Sequence, residues 1–248
     1  MVTTQAYHGM DSYNPQTSNV RYNLLPHDNS TLYRKFNRTL GIDTRKAPAQ
    51  NLDNWMNNIS VDFKPELQDA VFYYSPRTQA SERLKLCIST KEMDEATWRY
   101  AHHGQVVLDG TFGVCSSRML LFIALAIDEE GKGVPIAFFL FSAPTGTRAT
   151  HAGYNTAILQ ELLQQWKDHL GTHNGSKFEP FVGITDTDTK ERGALLGVWP
   201  LISLLLCKFH IRQCWTNKRK ALLRAAGGSK FWKDHVLERS RSLEVRCV

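Results

Sequence analysis

The chain has 248 residues, of which 42% are hydrophobic, and it carries a formal net charge of +6 at pH 7. This length and composition allow one substantial buried core, and the positive charge favours an acidic partner such as nucleic acid. The longest apolar run, Met119–Ile127, is too short to span a bilayer, and no signal-like segment opens the chain. We therefore expect a soluble protein without membrane contact, and its odd number of scattered cysteines indicates a reducing compartment.

The first hundred residues divide into two parts by composition. Residues 1–50 lack hydrophobic periodicity and contain many Asn, Pro, Ser and Thr, which is typical of a disordered arm or the remnant of an upstream module. Residues 51–100 mix aromatic and polar side chains and predict an accessory region that flanks the core. Within it we expect a helix and a strand over residues 52–74 at one sheet edge, and then a helix capped by Thr90.

Residues 101–225 alternate apolar runs with turns and helical patterns. Strands are predicted over residues 105–108, 118–127, 134–141, 181–184 and 201–207. Helices are predicted from an apolar face between Ile158 and Leu170, over residues 190–198, and from about His210 onward. The order is that of the ribonuclease-H-like fold, so we predict an α/β fold: a mixed five-stranded sheet with helices on both faces. Residues 226–248 are interpreted as the start of a further helical region.

Two of these predicted strands end in a carboxylate, Asp109 in one case and Asp186 in the other. In such a fold the two strands are parallel neighbours, so acids at their ends can share a Mg²⁺ or Mn²⁺ ion. Each acid alone has a structural alternative: Asp109 as a turn residue before Gly110, and Asp186 as a helix cap. Asp188 or Thr189 could supply that cap instead. Together the two acids favour phosphoryl transfer on nucleic acid.

A basic stretch follows the second acid. No Asp or Glu occurs from Arg192 to Lys233, whereas nine Lys and Arg residues do. A charged helix is often only a solvated face, but a stretch of this length without acids favours contact with phosphates. The residues predicted to bind DNA are Arg212, Lys218, Arg219, Lys220 and Arg224.

Cys207, His210 and Cys214 have a spacing that allows two interpretations. A structural zinc site would need a fourth ligand, and no second Cys or His pair is evident. The alternative is that Cys207 belongs to the core on the fifth strand and that His210 lies near the acids.

The segment from about Leu86 to Lys220 resembles the transposase domain of Mutator-like elements (MULE), in the form found in fungal genomes. The motifs that carry the resemblance are Asp109-Gly-Thr-Phe, Gly133-Val-Pro-Ile-Ala-Phe, Thr185-Asp-Thr-Asp-Thr-Lys-Glu-Arg-Gly-Ala-Leu, Val198-Trp-Pro and Cys207-Lys-Phe-His-Ile-Arg-Gln-Cys-Trp. The resemblance implies a DDE-type, metal-dependent DNA transposase with Asp109 as first acid and Asp186 as second, and Asp188 as the substitute for the second. It places Cys207 and His210 near the site. It further implies DNA as partner, both element ends and target duplex, a nuclear location and the option of a homo-oligomer.

The family's third acid, a glutamate after a helical insertion, has no match at the usual distance in this sequence. Glu238 and Glu244 follow the basic helix too closely, and Glu191 would be a poor substitute. We therefore expect an incomplete copy that neither cleaves nor joins DNA. The alternative is a non-enzymatic DNA-binding or regulatory protein derived from a transposase. A ribonuclease or exonuclease is less favoured, because those enzymes carry additional acids.

Overall fold

The computed structural model of the chain describes residues 26–77, 79, 82–112, 119–143 and 153–225, together with scattered residues between 230 and 239. The chain divides into two compact units, Met1–Lys64 and Pro65–Val248. In the described part of the chain, no helix combines the length and the apolar character needed to cross a membrane.

The described part of the first unit, residues 26–64, contains two helices, α1 (Pro26–Thr39) and α2 (Pro48–Met56). The turn between them is fixed by paired hydrogen bonds, in which the Asp43 amide donates to Asn51 Oδ1 and Asn51 Nδ2 donates to the Asp43 carbonyl. Trp55 Nε1 also donates to the Gly41 carbonyl at 3.0 Å. Residues 26–50, which belong to the segment predicted as a disordered arm or as the remnant of an upstream module, thus contain α1, this turn and the start of α2. Residues 1–25 lie outside the described part.

The second unit contains the remaining elements. These are α3 (Pro65–Ala70), β1 (Val71–Ser75), β2 (Lys85–Ile88), α4 (Lys91–Ala96) with a π-helical turn (Thr97–Ala101), β3 (Gln105–Phe112), β4 (Met119–Ile127), β5 (Gly133–Ser142), α5 (Thr156–Leu170), β6 (Thr172–His173), β7 (Ser176–Lys177), β8 (Val182–Thr185), α6 (Thr189–Val198), β9 (Ser203–Leu206) and α7 (Lys208–Ala225). The Thr90 side chain caps α4 by accepting from the Met93 amide, as the sequence predicts.

One mixed sheet organises this unit, with the strand order β1-β2-β5-β4-β3-β8-β9. The strands from β1 to β3 in that order pair antiparallel, whereas β3, β8 and β9 pair parallel. The five predicted strands are β3, β4, β5, β8 and β9, and their order is that of the ribonuclease-H-like α/β fold. The sheet has seven strands and not five, because β1 and β2 extend it beyond β5.

The core lies on one face of this sheet. Val106, Leu108, Phe122 and Phe139 are fully or almost fully buried there, and they form one cluster with the apolar side chains of α5 and α6. The side chains of β3 and β4 that alternate with them are only partly buried in the described structure. Helix cover on the second face therefore stays a prediction.

A small hairpin of β6 and β7 lies between α5 and β8. Its turn is Asn174-Gly175, with φ of 50° and 80°. Asn-Gly is the preferred pair for a two-residue hairpin turn with positive φ, so the sequence did contain the signal.

Candidate active site

Parallel pairing of β3 and β8 sets the two strands that lead to the predicted acids side by side. Gln105 pairs with Val182, Val106 with Gly183 and Val107 with Ile184. Each pair has the sequence offset that also separates Asp109 from Asp186, so the same register continued for two residues would set these acids opposite each other, although the observed pairing ends at Val107 and Ile184. Neighbouring strands lie about 4.8 Å apart, and residues in register point to the same face.

The sequence predicted that Asp109 would end its strand, but β3 extends beyond this residue. β3 continues to Phe112, because Gly110, Thr111 and Phe112 pair with Phe122, Leu121 and Leu120 of β4. Asp109 therefore lies just beyond the last residues that pair with β8, and its side chain is 47% exposed. It is held on a paired strand and not on a free turn.

Gly110 is required by the packing beneath Asp109. A Cβ atom at this position would lie 2.7 Å from the Phe122 ring, which is fully buried. The Phe122 ring in turn packs edge-on against Tyr154, with ring centroids 5.0 Å apart. A side chain at position 110 would therefore push this aromatic cluster away from the sheet.

The two aspartates in the turn after β8 make different hydrogen bonds. Asp188 is the N-cap of α6: its Oδ1 accepts from the Lys190 amide at 2.8 Å and its Oδ2 from the Tyr154 hydroxyl at 2.8 Å. Asp186 Oδ1 accepts from the Asp188 amide at 2.6 Å, which fixes the turn. Both oxygens of Asp188 are thus engaged, and Asp188 fills the capping role considered as an alternative for Asp186.

Glu191, on the first turn of α6, is the buried acid of the site. It is 1% exposed, and its Oε2 has no hydrogen-bond partner. Burial, followed by the charges of Asp186, Asp188 and Asp109, raises the Glu191 pKa to about 8 from an ordinary 4.5. The sequence identified this residue only as a poor substitute for a third acid.

Tyr154 connects Glu191 to the aspartate turn. Its hydroxyl lies 2.8 Å from Asp188 Oδ2 and 3.4 Å from Glu191 Oε1. Burial raises the Tyr154 pKa, and the hydrogen bond to Asp188 and the nearby carboxylates add to the shift. Sequence reasoning missed this residue, because a tyrosine before a helix carries no signal of contact with acids distant in the chain.

His210 approaches Asp109 from α7. Its Nε2 lies 3.7 Å from Asp109 Oδ1, a distance that allows an ion pair when the imidazole is protonated. Its Nδ1 is buried without a hydrogen-bond partner. The amide of Cys207, which precedes α7, donates to the Thr185 carbonyl at 2.6 Å and fixes this end of β8 beside the next helix. Cys207 and Cys214 are free thiols.

Among the described residues, no group of three or more His, Cys, Asp or Glu side chains is arranged to hold a metal ion as it stands. This holds for the acids and equally for Cys207, His210 and Cys214, which gives no support to a zinc site. The acids nevertheless offer the carboxylate oxygens that hard divalent cations prefer, and the unpartnered Oε2 of Glu191 adds a buried donor atom. The donor set therefore fits Mg²⁺ or Mn²⁺ in kind.

The basic helix α7 presents most of its predicted DNA-binding residues to solvent. Arg212, Lys218 and Lys220 are exposed, and Arg219 is partly buried. Trp215 is 51% exposed. The side chain of Arg224 lies outside the described part of the structure.

Comparison with known families identifies the core. Residues 105–214 match the family model described as MULE transposase domain. This match confirms the resemblance to MULE transposase domains drawn from the sequence over this segment, and it agrees with the ribonuclease-H-like α/β sheet. A search of curated proteins gave no match. A transposase-type function, with DNA as partner, follows from the family.

Proposed function

We propose that the domain is a DDE-type DNA transposase in which Asp109 and Asp186 hold a divalent cation, Mg²⁺ or Mn²⁺. One observation supports the proposal: β3 and β8 are parallel neighbours, and their register, continued for two residues, would set Asp109 opposite Asp186. Two carboxylates from adjacent strands supply the oxygen ligands of such a cation. When bound, the cation would polarise the scissile phosphate and activate water for hydrolysis at the element end.

The protein's own residues would fix this site and position the DNA. Asp188 uses both carboxylate oxygens, for the α6 cap and for the Tyr154 hydroxyl, whereas Asp186 accepts from the Asp188 amide through Oδ1 alone among the contacts described. Asp186 is therefore the acid of this turn that we propose as the cation ligand. Strand transfer by the freed 3′ hydroxyl would use the same two acids, since both steps are in-line displacements at phosphorus. The nuclear location follows from the same proposal, because the DNA substrate lies there.

DNA would reach the acids along α7. The helix begins at Lys208 next to the site, as the contact between His210 and Asp109 indicates. Exposed Lys208, Arg212 and Trp215 follow at helical spacing along one face, which suits a phosphate backbone with a base or sugar against the indole. The charge of this helix therefore supports duplex DNA as the partner.

The experiment that tests the metal claim is Mn²⁺ titration of the full chain by calorimetry. We expect the Asp109→Asn and Asp186→Asn variants each to weaken binding at least tenfold. The matched control is Asp168→Asn, an exposed α5 acid that contacts Gln164, and it should leave the Kd unchanged. Equal affinity in all four proteins would contradict the proposal, because the ion would then be bound elsewhere.

A further inference from the structure

The position of Glu191 within the site requires an explanation. It lies on the first turn of α6, only five positions after Asp186, and it is 1% exposed. A carboxylate in such a place loses its hydration and must recover that loss from a hydrogen bond, a proton or a cation. The Glu191 side chain has one weak contact, 3.4 Å from Oε1 to the Tyr154 hydroxyl, and Oε2 has none.

The Tyr154 hydroxyl contributes little to stabilising an ionised Glu191 carboxylate. A phenol has one proton, and the shorter distance of 2.8 Å assigns it to Asp188 Oδ2. The hydroxyl therefore does not donate to an ionised Glu191 at the same time. Glu191 is left among Asp186, Asp188 and Asp109, whose charges all disfavour its ionisation. A divalent cation at this cluster would offset both the repulsion and the lost hydration.

We propose that Glu191 is the third carboxylate of the metal site, joining Asp109 and Asp186 when a divalent cation binds. This inference rests on the proposed function of the two aspartates. The described side chains do not form a preformed trio, so the proposal concerns their arrangement with the cation bound. It places this carboxylate on the first turn of α6, close in sequence to Asp186.

The test is Mn²⁺ binding to the full chain, measured by calorimetry and by the loss of the free-ion electron paramagnetic resonance signal. Glu191→Gln keeps the shape of the side chain and removes its charge, and we expect a Kd at least tenfold higher. Glu95→Gln, the same change on the exposed face of α4, is the matched control and should bind as the parent does. Circular dichroism of each variant establishes that the fold is retained.

A second variant separates direct ligation from an indirect effect. Tyr154→Phe removes the hydroxyl that contacts both Asp188 and Glu191 but leaves the Glu191 carboxylate in place. We expect it to change the Kd less than threefold. If Tyr154→Phe weakens binding as strongly as Glu191→Gln, then Glu191 acts through the hydrogen-bonded turn and the proposal is overturned.

The two proposals fail in different ways. If Asp109→Asn and Asp186→Asn weaken Mn²⁺ binding but Glu191→Gln does not, Glu191 is a buried protonated acid and only the present inference is lost. If neither aspartate variant changes the affinity, the metal site itself is wrong and the role of Glu191 is lost with it. Weakening by all three substitutions, with the controls unchanged, supports both.

Discussion

At the scale of single residues, the site depends on how four acids share one small region. The Asp188 carboxylate is stabilised by hydrogen bonds from the N-terminus of α6 and from the Tyr154 hydroxyl, whereas Asp109 faces solvent and His210. Glu191 has neither arrangement, and its pKa is accordingly raised to about 8. Burial among these acids therefore favours the protonated form of Glu191 near neutral pH in the absence of a cation.

This shift predicts a pH dependence of stability. Between pH 4.5 and about 8 the unfolded Glu191 has lost its proton while the folded one retains it, so this group lowers the stability as the pH rises through that window. Glu191→Gln cannot titrate. The free energy of unfolding of the variant minus that of the parent chain should therefore be roughly 1–4 kcal/mol larger at pH 8.5 than at pH 5, since one pKa unit corresponds to about 1.4 kcal/mol. Urea unfolding in EDTA at both values measures this.

The control for this experiment is Glu95→Gln, because that side chain is exposed on α4. Its stability should follow that of the parent chain at both pH values. A Glu191→Gln curve parallel to that of the parent would show that Glu191 ionises normally in the folded state.

At the scale of elements, the sequence was sufficient for the apolar core strands and insufficient for contacts between distant segments. The runs that become β4 and β5, and the apolar face of α5, are long and periodic, so their type and approximate ends could be predicted. β2 is only four residues long, and its run Leu86-Cys87-Ile88 gives too short a pattern to identify a strand. It is defined by pairing with β1 and β5, which the local sequence does not encode.

The candidate site divides in the same way. Asp109 and Asp186 could be identified because each follows an apolar run and the strand order makes those runs neighbours. Tyr154 and the burial of Glu191 could not, since both depend on how α5 and α6 pack over the sheet. The role of Asp188 as a cap was among the alternatives, because capping depends on the local sequence.

The packing of β3 against β4 gives a test at this scale. Gly110→Ala would place a methyl group 2.7 Å from the buried Phe122 ring, and we expect a loss of about 1–3 kcal/mol in unfolding free energy. Gly133→Ala on β5 is the matched control, because its Cβ would meet only Leu125 Cδ1 at 3.8 Å. Urea titration followed by tryptophan fluorescence measures both. Equal losses would mean that the ring can shift at little cost.

The basic helix α7 gives a second test. Replacing Lys218, Arg219 and Lys220 with Ala should reduce the slope of log affinity against log salt for duplex DNA by roughly 1–3, because each lost phosphate contact removes about 0.9. Replacing Arg34, Lys35 and Arg38 of α1 makes the same change in net charge and serves as the control. Fluorescence anisotropy between about 50 and 300 mM salt measures the slope. If both triple variants have the parent slope, the charges of α7 are only solvated.

At the scale of the whole molecule, the question is whether the chain contains a complete catalytic set. From the sequence alone, no cleavage of DNA by this chain is expected. With Glu191 as third carboxylate, we instead expect nicking of supercoiled plasmid in Mn²⁺, which Asp109→Asn and Glu191→Gln each reduce at least tenfold. Asp168→Asn should nick as the parent does. Absence of nicking in the parent chain would favour the non-enzymatic DNA-binding alternative.

The most direct measurement is the position of Mn²⁺ in crystals of the full chain, located by its anomalous scattering. We expect a peak bridging the carboxylates of Asp109 and Asp186, with oxygen distances of about 2.1 Å, as hard divalent cations show with carboxylate ligands. Glu191 should supply a further oxygen to the same ion or to a second one about 4 Å away. Carboxylates of Asp109 and Asp186 that remain more than roughly 10 Å apart, or a peak that touches neither, would contradict shared coordination.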